Sequence, residues 1–87
     1  MIKSWSDDAW DDYLYWQTQD KKTLRKINTL IKDIERSGYD GIGKPEQLSE
    51  NLSGYWSRRI DDCNRIVYKI DGETIKIVQC GSHYRDK

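Results

Sequence analysis

The apolar residues between Asp20 and Gly38 constrain the fold of this chain more than any other feature. They recur at spacings of three and four, which is the pattern of an amphipathic helix: Leu24, Ile27, Leu30, Ile31 and Ile34. Asp20 can cap the start of such a helix, and Gly38 can adopt the left-handed backbone that ends it. The sequence therefore predicts a helix between these two residues with one face packed on a core.

A short strand and a second helix are predicted before it. Residues 2 to 5 form the strand candidate, and Ser6 is a suitable N-cap for a helix over residues 7 to 18. Asp7 and Asp8 would then lie in the first turn, where acidic groups favour the helix dipole. The stripe expected to face the core consists of Trp10, Tyr13, Leu14 and Gln17.

Three strands are predicted after residue 54, over residues 55 to 60, 65 to 70 and 74 to 80. Asp71-Gly72 favours a two-residue hairpin turn between the last two. Ile66, Tyr68 and Ile70 alternate with Arg65, Val67 and Lys69, so the first set should cover the helices while Arg65 projects from the other face. Residues 39 to 50 contain the only proline and are predicted to be a loop.

This order of elements predicts an α+β fold with an N-terminal strand and two helices packed on one face of a mostly antiparallel sheet. A chain of 87 residues is expected to be one domain, residues 1–87. The second face of the sheet is left open. We therefore expect the functional site on that face.

The net charge of the chain neither indicates nor excludes a nucleic-acid partner. The chain has fifteen basic and fifteen acidic residues, but residues 51 to 87 hold seven basic and five acidic ones, which weakly suits an anionic substrate. The start of the chain does not read as a signal peptide and no apolar run is long enough to cross a bilayer, so a cytoplasmic protein without a membrane partner is expected. Cys63 and Cys80 lack metal-ligand spacing and are predicted to be free thiols, and no metal or other cofactor is expected.

Glu46, Arg65 and the lone histidine, His83, supply what RNA cleavage by its own 2′-hydroxyl needs. One group takes the hydroxyl proton, another protonates the departing 5′-oxygen, and a cation stabilises the crowded phosphate between them, with no metal required. Hairpin pairing can bring Arg59, Arg65 and the His83-Tyr84 pair together, while the loop must deliver Glu46.

Each of these residues also has an ordinary interpretation. A histidine near a terminus is usually a surface residue, Glu46 could pair with Lys44, and either arginine could bind a neighbouring carboxylate. The polar face of the longer helix is basic and is typical of a solvated surface or of a track for an RNA backbone: Lys21, Lys22, Arg25, Lys26 and Arg36.

Over residues 1 to 84 the chain resembles the YoeB-type toxins, the Txe/YoeB branch of the RelE superfamily. The segments that carry the resemblance are the Trp-rich run from Trp5 to Trp16, Gly43-Lys44-Pro45-Glu46, the block Asn51-Leu52-Ser53-Gly54-Tyr55-Trp56-Ser57-Arg58-Arg59-Ile60, Arg65-Ile66-Val67-Tyr68, and His83-Tyr84. The block at 51 to 60 and the closing His-Tyr pair are the most specific of these.

The resemblance implies a ribosome-dependent mRNA endonuclease with a microbial-ribonuclease-like fold. Its expected partners are mRNA on the 70S ribosome and a cognate antitoxin of the YefM type, and it allows a homodimer. It assigns Glu46 as general base, His83 as general acid and Arg65 as the main support of the transition state. Arg59 would contact a phosphate, and Tyr84 would position or stack on the substrate.

Two departures from the family pattern are visible. Ser49 stands where the family often has a lysine, so a basic contact is missing there and Lys44 is the candidate to supply it. Residues 85–87 extend beyond the usual His-Tyr end and are expected to be a disordered tail.

Two other functions remain open for the same scaffold. One is a non-catalytic toxin that binds a protein such as a topoisomerase, as ParE-type relatives do, and the other is a free-standing ribonuclease. The joint presence of Glu46, Arg65 and His83 favours cleavage.

Overall fold

The computed structural model describes residues 1–82, which form two helices and a five-stranded sheet. In chain order the elements are β1 (Ile2–Trp5), α1 (Asp7–Gln19), α2 (Lys21–Ser37), β2 (Glu46–Gln47), a 3-10 turn (Glu50–Leu52), β3 (Trp56–Arg59), β4 (Asn64–Asp71) and β5 (Thr74–Ser82). The strand order across the sheet is β1-β5-β4-β3-β2. This arrangement confirms the predicted α+β fold.

The central part of the sheet is antiparallel. β4 pairs with both β3 and β5, β2 extends the sheet beyond β3, and β1 lies parallel to β5 with Ile2 opposite Thr74. The helices share one hydrophobic core with the sheet, and the buried side chains of β4 and β5 in that core include Ile66, Tyr68, Ile75 and Ile77. The other face of β4 carries Arg65, as the alternation predicted.

The prediction for α2 is confirmed except at Leu24, which is only half-buried. The Asp20 carboxylate accepts hydrogen bonds from the backbone N–H groups of Lys22 and Thr23, and Gly38 ends the helix at φ 68°. Ile27, Leu30, Ile31 and Ile34 are all buried.

The predicted core face of α1 was largely wrong. Trp10 and Leu14 remain 44% and 42% exposed, whereas Ala9 and Asp12 are buried and Tyr13 and Trp16 pack against the core. The physical reason is that α1 binds the backbone of β5 through polar atoms. Asp12 accepts a hydrogen bond from Cys80 N, and Trp16 Nε1 donates one to Cys80 O.

Two boundaries differ from the sequence prediction. The predicted loop over residues 39 to 50 contains β2, because Glu46 and Gln47 pair with Ser57 and Trp56. The hairpin turn lies one residue later than predicted, at Gly72 and Glu73, since Asp71 still pairs with Thr74. Gly72 has φ 62°, which explains why glycine occupies the first turn position.

Cys63 is exposed and Cys80 is buried, and they form no disulfide, as predicted. Within residues 1–82 no helix is long and apolar enough to cross a membrane.

A fully buried arginine joins α2, the sheet and the loop that follows α2. Arg58 donates hydrogen bonds to the Asp33 carboxylate (2.5 Å), to the Tyr68 hydroxyl (3.1 Å) and to the backbone carbonyls of Gly38, Asp40 and Ile42. Every arm of the guanidinium therefore has an acceptor, as a buried charge requires.

Arg58 and burial shift the pKa values of the two side chains that face Arg58. The hydrogen bond from Arg58, followed by one from Ile42 N, holds the pKa of Asp33 below its usual value and keeps that carboxyl ionised. Burial raises the pKa of Tyr68, so its hydroxyl stays neutral.

We expect Arg58→Met to cost roughly 3–5 kcal/mol of unfolding free energy, because it leaves the Asp33 carboxylate buried without its main cation. Arg36→Met is the matched control. Arg36 binds the other oxygen of the same carboxylate, but its side chain is 75% exposed, so its loss should cost below about 1 kcal/mol. Urea denaturation measures both values, and equal losses would contradict the assignment.

Candidate active site

The open face of the sheet carries a groove of about 340 Å³. Its apolar lining comes from Leu48, Leu52 and Val67. Its polar lining residues are Glu46, Ser57, Arg65 and Gln79. The groove thus combines an apolar interior with a few polar groups, which is typical of a binding site.

Strand register explains why these residues meet. Glu46 lies opposite Ser57, Ser57 opposite Val67, and Val67 opposite Gln79, so one row crosses four strands. Directly opposite residues project from the same face of a sheet. The next row contains Arg59, Arg65 and Gly81.

Glu46 and Arg65 form an ion pair on this face. Glu46 Oε1 lies 3.8 Å from Arg65 Nη1, and their side chains are 65% and 31% exposed. This separation exceeds a hydrogen-bond length, so the pair is loose. Both groups therefore remain accessible to a substrate that enters the groove.

Two further cations lie beside this pair. Arg59 is the register partner of Arg65, and Lys44 precedes Glu46 by two residues. Both are exposed, and within residues 1–82 neither forms an ion pair with a carboxylate. The ordinary interpretation of Glu46 as a partner of Lys44 is therefore wrong for this part of the chain, because Glu46 pairs with Arg65 instead.

Backbone hydrogen bonds hold the segment that contains Glu46 at the edge of the sheet. Gly43 O accepts from Arg59 N at 2.7 Å, and Leu48 N donates to Tyr55 O at 2.9 Å, on either side of the two residues of β2. Gly43 and Lys44 both have left-handed backbone, with φ of 83° and 52°. This turn directs the chain from the loop into the sheet.

His83 and Tyr84 lie outside the described residues. The chain that leads to them is described as far as Ser82, which pairs with Asn64, and Gly81 pairs with Arg65. The end of β5 therefore lies next to the strand position of Arg65.

Sequence reasoning missed two polar residues. Arg58 was not assigned to the core, and its pairing with Asp33 left no local sequence signal because 25 residues separate them. Ser57 was overlooked as well, although its two-residue spacing from Arg59 places it on the open face.

Comparison with known proteins identifies a family for this chain. The model of the YoeB-like toxin of bacterial type II toxin-antitoxin systems matches residues 5–84. Toxin YoeB of Escherichia coli strain K12 is 52% identical over 80 residues, which cover 92% of this chain and 95% of that toxin.

Solved structures agree. A chain of the heterotetrameric YoeB-YefM toxin-antitoxin complex from Staphylococcus aureus superposes with a TM-score of 0.91 at 49% identity, covering 97% of this chain and 98% of that chain. The YoeB dimer from the same organism superposes with a TM-score of 0.90 at 49% identity and the same coverage. The protein described here therefore belongs to the YoeB-like toxins of bacterial type II toxin-antitoxin systems.

We expect Gly43→Ala to destabilise the protein more than Gly72→Ala. Both glycines have positive φ, so alanine at either position should cost roughly 1–2 kcal/mol from the backbone alone. A Cβ at Gly43 would also lie 2.8 Å from Leu30 Cδ2 and 3.2 Å from Arg59 O, whereas one at Gly72 meets nothing within 4 Å. Urea denaturation of both variants measures the difference, and identical losses would show that Leu30 moves aside freely.

Proposed function

We propose that this protein is a ribosome-dependent mRNA endonuclease that cleaves by attack of the RNA 2′-hydroxyl on the adjacent phosphate. The observation that carries the proposal is the loose, accessible pair of Glu46 and Arg65 across a groove on the open face of the sheet. A carboxylate and a guanidinium in this arrangement can serve as a base and a phosphate ligand for one substrate.

In the proposed reaction Glu46 removes the 2′-hydroxyl proton while the 2′-oxygen bonds to phosphorus. The bond from phosphorus to the 5′-oxygen breaks, and His83 supplies the proton that this oxygen takes. The products are a 2′,3′-cyclic phosphate and a 5′-hydroxyl end. Proton transfer of this kind by a positioned side chain typically contributes about 100-fold to 10,000-fold in rate.

Positive charge stabilises the phosphate in the transition state. Arg65 is the main support, since it lies beside Glu46, and its register partner Arg59 makes a second phosphate contact. Lys44 adds a third cation from the turn before β2 and compensates for Ser49. Tyr84 positions the substrate beside His83.

The two S. aureus structures support the proposed partners. One is a YoeB-YefM complex and the other a YoeB dimer. We therefore propose a YefM-type antitoxin and a homodimeric state for this protein as well. An acidic antitoxin segment would cover the surface around Glu46 and Arg65 and block RNA. Action on translated mRNA places the protein in the cytoplasm.

We expect Glu46→Gln, Arg65→Ala and His83→Gln each to reduce cleavage of ribosome-bound mRNA by roughly 100-fold to 10,000-fold. Glu73→Gln is the matched control for the first variant, because Glu73 is an exposed carboxylate in the hairpin turn, away from the groove. Thermal unfolding should show that all four variants stay folded. Cleavage at the parent rate by the first three would refute the catalytic roles.

Cleavage should also depend on the ribosome. The chain has a net charge of zero, whereas non-specific binding of free RNA relies on contacts from a basic surface to phosphates. An mRNA held by the ribosome arrives already oriented, which can lower the barrier by several kcal/mol.

The test is single-turnover cleavage of one mRNA, free and in a ribosomal A site, at equal protein and salt concentrations. We expect much faster cleavage on the ribosome. Equal rates would indicate a free-standing ribonuclease, and no cleavage in either case would indicate a non-catalytic toxin that binds a protein.

A further inference from the structure

Ser57 carries a buried hydroxyl that the fold itself does not use. The side chain is 1% exposed, and no residue among 1–82 forms a hydrogen bond with Ser57 Oγ. It is the only buried side-chain nitrogen or oxygen in that part of the chain with no partner. An unpaired buried polar group costs about 1–3 kcal/mol of stability, so the Ser57 hydroxyl is a candidate for a role outside folding.

The hydroxyl lies on the floor of the groove. Ser57 lines the groove between Glu46 on β2 and Val67 on β4, and Gln79 follows Val67 in the same row. Gln79 Nε2 donates to Gly81 O at 3.1 Å, which orients the Gln79 amide. The groove therefore offers two fixed hydrogen-bonding side chains on its floor, a hydroxyl and an amide.

The rest of the groove suits a planar heteroaromatic ring. Leu48, Leu52 and Val67 supply apolar surface for the faces of a ring, while Ser57 and Gln79 supply donors and acceptors for its edge. A phosphate would instead bind at Arg65, where the positive charge is. A nucleobase has both features, flat apolar faces and a hydrogen-bonding edge.

The position of Glu46 indicates which base would enter. On the proposed function, on which this inference rests, Glu46 takes the proton of the attacking 2′-hydroxyl. That ribose belongs to the nucleotide on the 5′ side of the broken bond. Glu46 and Ser57 are directly opposite residues on neighbouring strands. The Cβ atoms of such a pair are about 4.5–5.5 Å apart. The base attached to this ribose is therefore within reach of the groove floor.

We propose that Ser57 and Gln79 form a base-recognition subsite for the nucleotide on the 5′ side of the cleaved bond. A base whose edge matches both groups satisfies the buried hydroxyl, whereas a mismatched base leaves it unpaired. Pockets that hydrogen-bond a substrate reject analogues without the matching group more strongly than apolar pockets do.

The experiment compares four ribosome-programmed mRNAs that differ only in this nucleotide, after the cleavage position has been mapped with the parent protein. The ratio of single-turnover rates between the best and the worst base is measured for the parent, Ser57→Ala and Ser4→Ala. Ser4 is the matched control because it is an exposed serine on strand β1. We expect Ser57→Ala to lower the ratio by roughly tenfold, the loss of about one hydrogen bond, and Ser4→Ala to leave it unchanged.

Thermal unfolding separates recognition from a structural role. Because Ser57 Oγ forms no hydrogen bond within residues 1–82, we expect Ser57→Ala to keep or raise the Tm. A lowered Tm with a uniform loss of rate on all four bases would overturn the inference. Gln79→Met keeps the length of the side chain and removes its amide, so it should also lower the ratio of rates between the best and the worst base. If Ser57→Ala does not fold, the result for Gln79→Met alone tests the subsite.

The remaining outcomes distinguish the inference from the proposed function. If the parent cleaves but shows no base preference, or both variants keep the parent ratio, the subsite is refuted and the endonuclease stands. Kept ratios with weaker binding of a YefM-type antitoxin would assign the groove to an antitoxin side chain. If the parent does not cleave on the ribosome, the proposed function fails and the subsite falls with it.

Discussion

The buried charge of Arg58 is the constraint on which the rest of this structure depends. A guanidinium with no exposure to water must find acceptors, and it finds them in Asp33 of α2, in Tyr68 of β4 and in three carbonyls of residues 38–42. The segment that connects α2 to the sheet is thereby fixed in place. Because that segment leads directly to β2, the same interaction determines where Glu46 enters the open face.

The sequence predicted those parts of the fold that have a periodic pattern of apolar residues. The spacing in α2 identified its buried face, and the alternation in β4 placed Arg65 on the open face. The core face of α1 was mispredicted because Asp12 and Trp16 are held there by hydrogen bonds to the backbone of Cys80, a distant contact that hydrophobicity does not encode. The partners of Arg58 and the buried position of Ser57 were not predicted either, since both follow from pairing between segments far apart in the chain.

The charges of Glu46 and Arg65 balance each other on the open face of the sheet. Glu46 faces Arg65 at 3.8 Å, while Arg59 and Lys44 have no carboxylate partner within residues 1–82. On the proposed function, Arg59 and Lys44 are therefore the cations that a substrate phosphate can meet without breaking an ion pair among residues 1–82.

The first and the last strand of residues 1–82 pair with each other in the sheet. β5 lies between β1 and β4, so β1 has no neighbour in the sheet until β5 is available. During translation the central sheet cannot be completed before residues 74 to 82 have emerged. Gln79 of β5 lines the groove and Gly81 pairs with Arg65, so the open face with its groove is complete only after β5 has taken its place between β1 and β4.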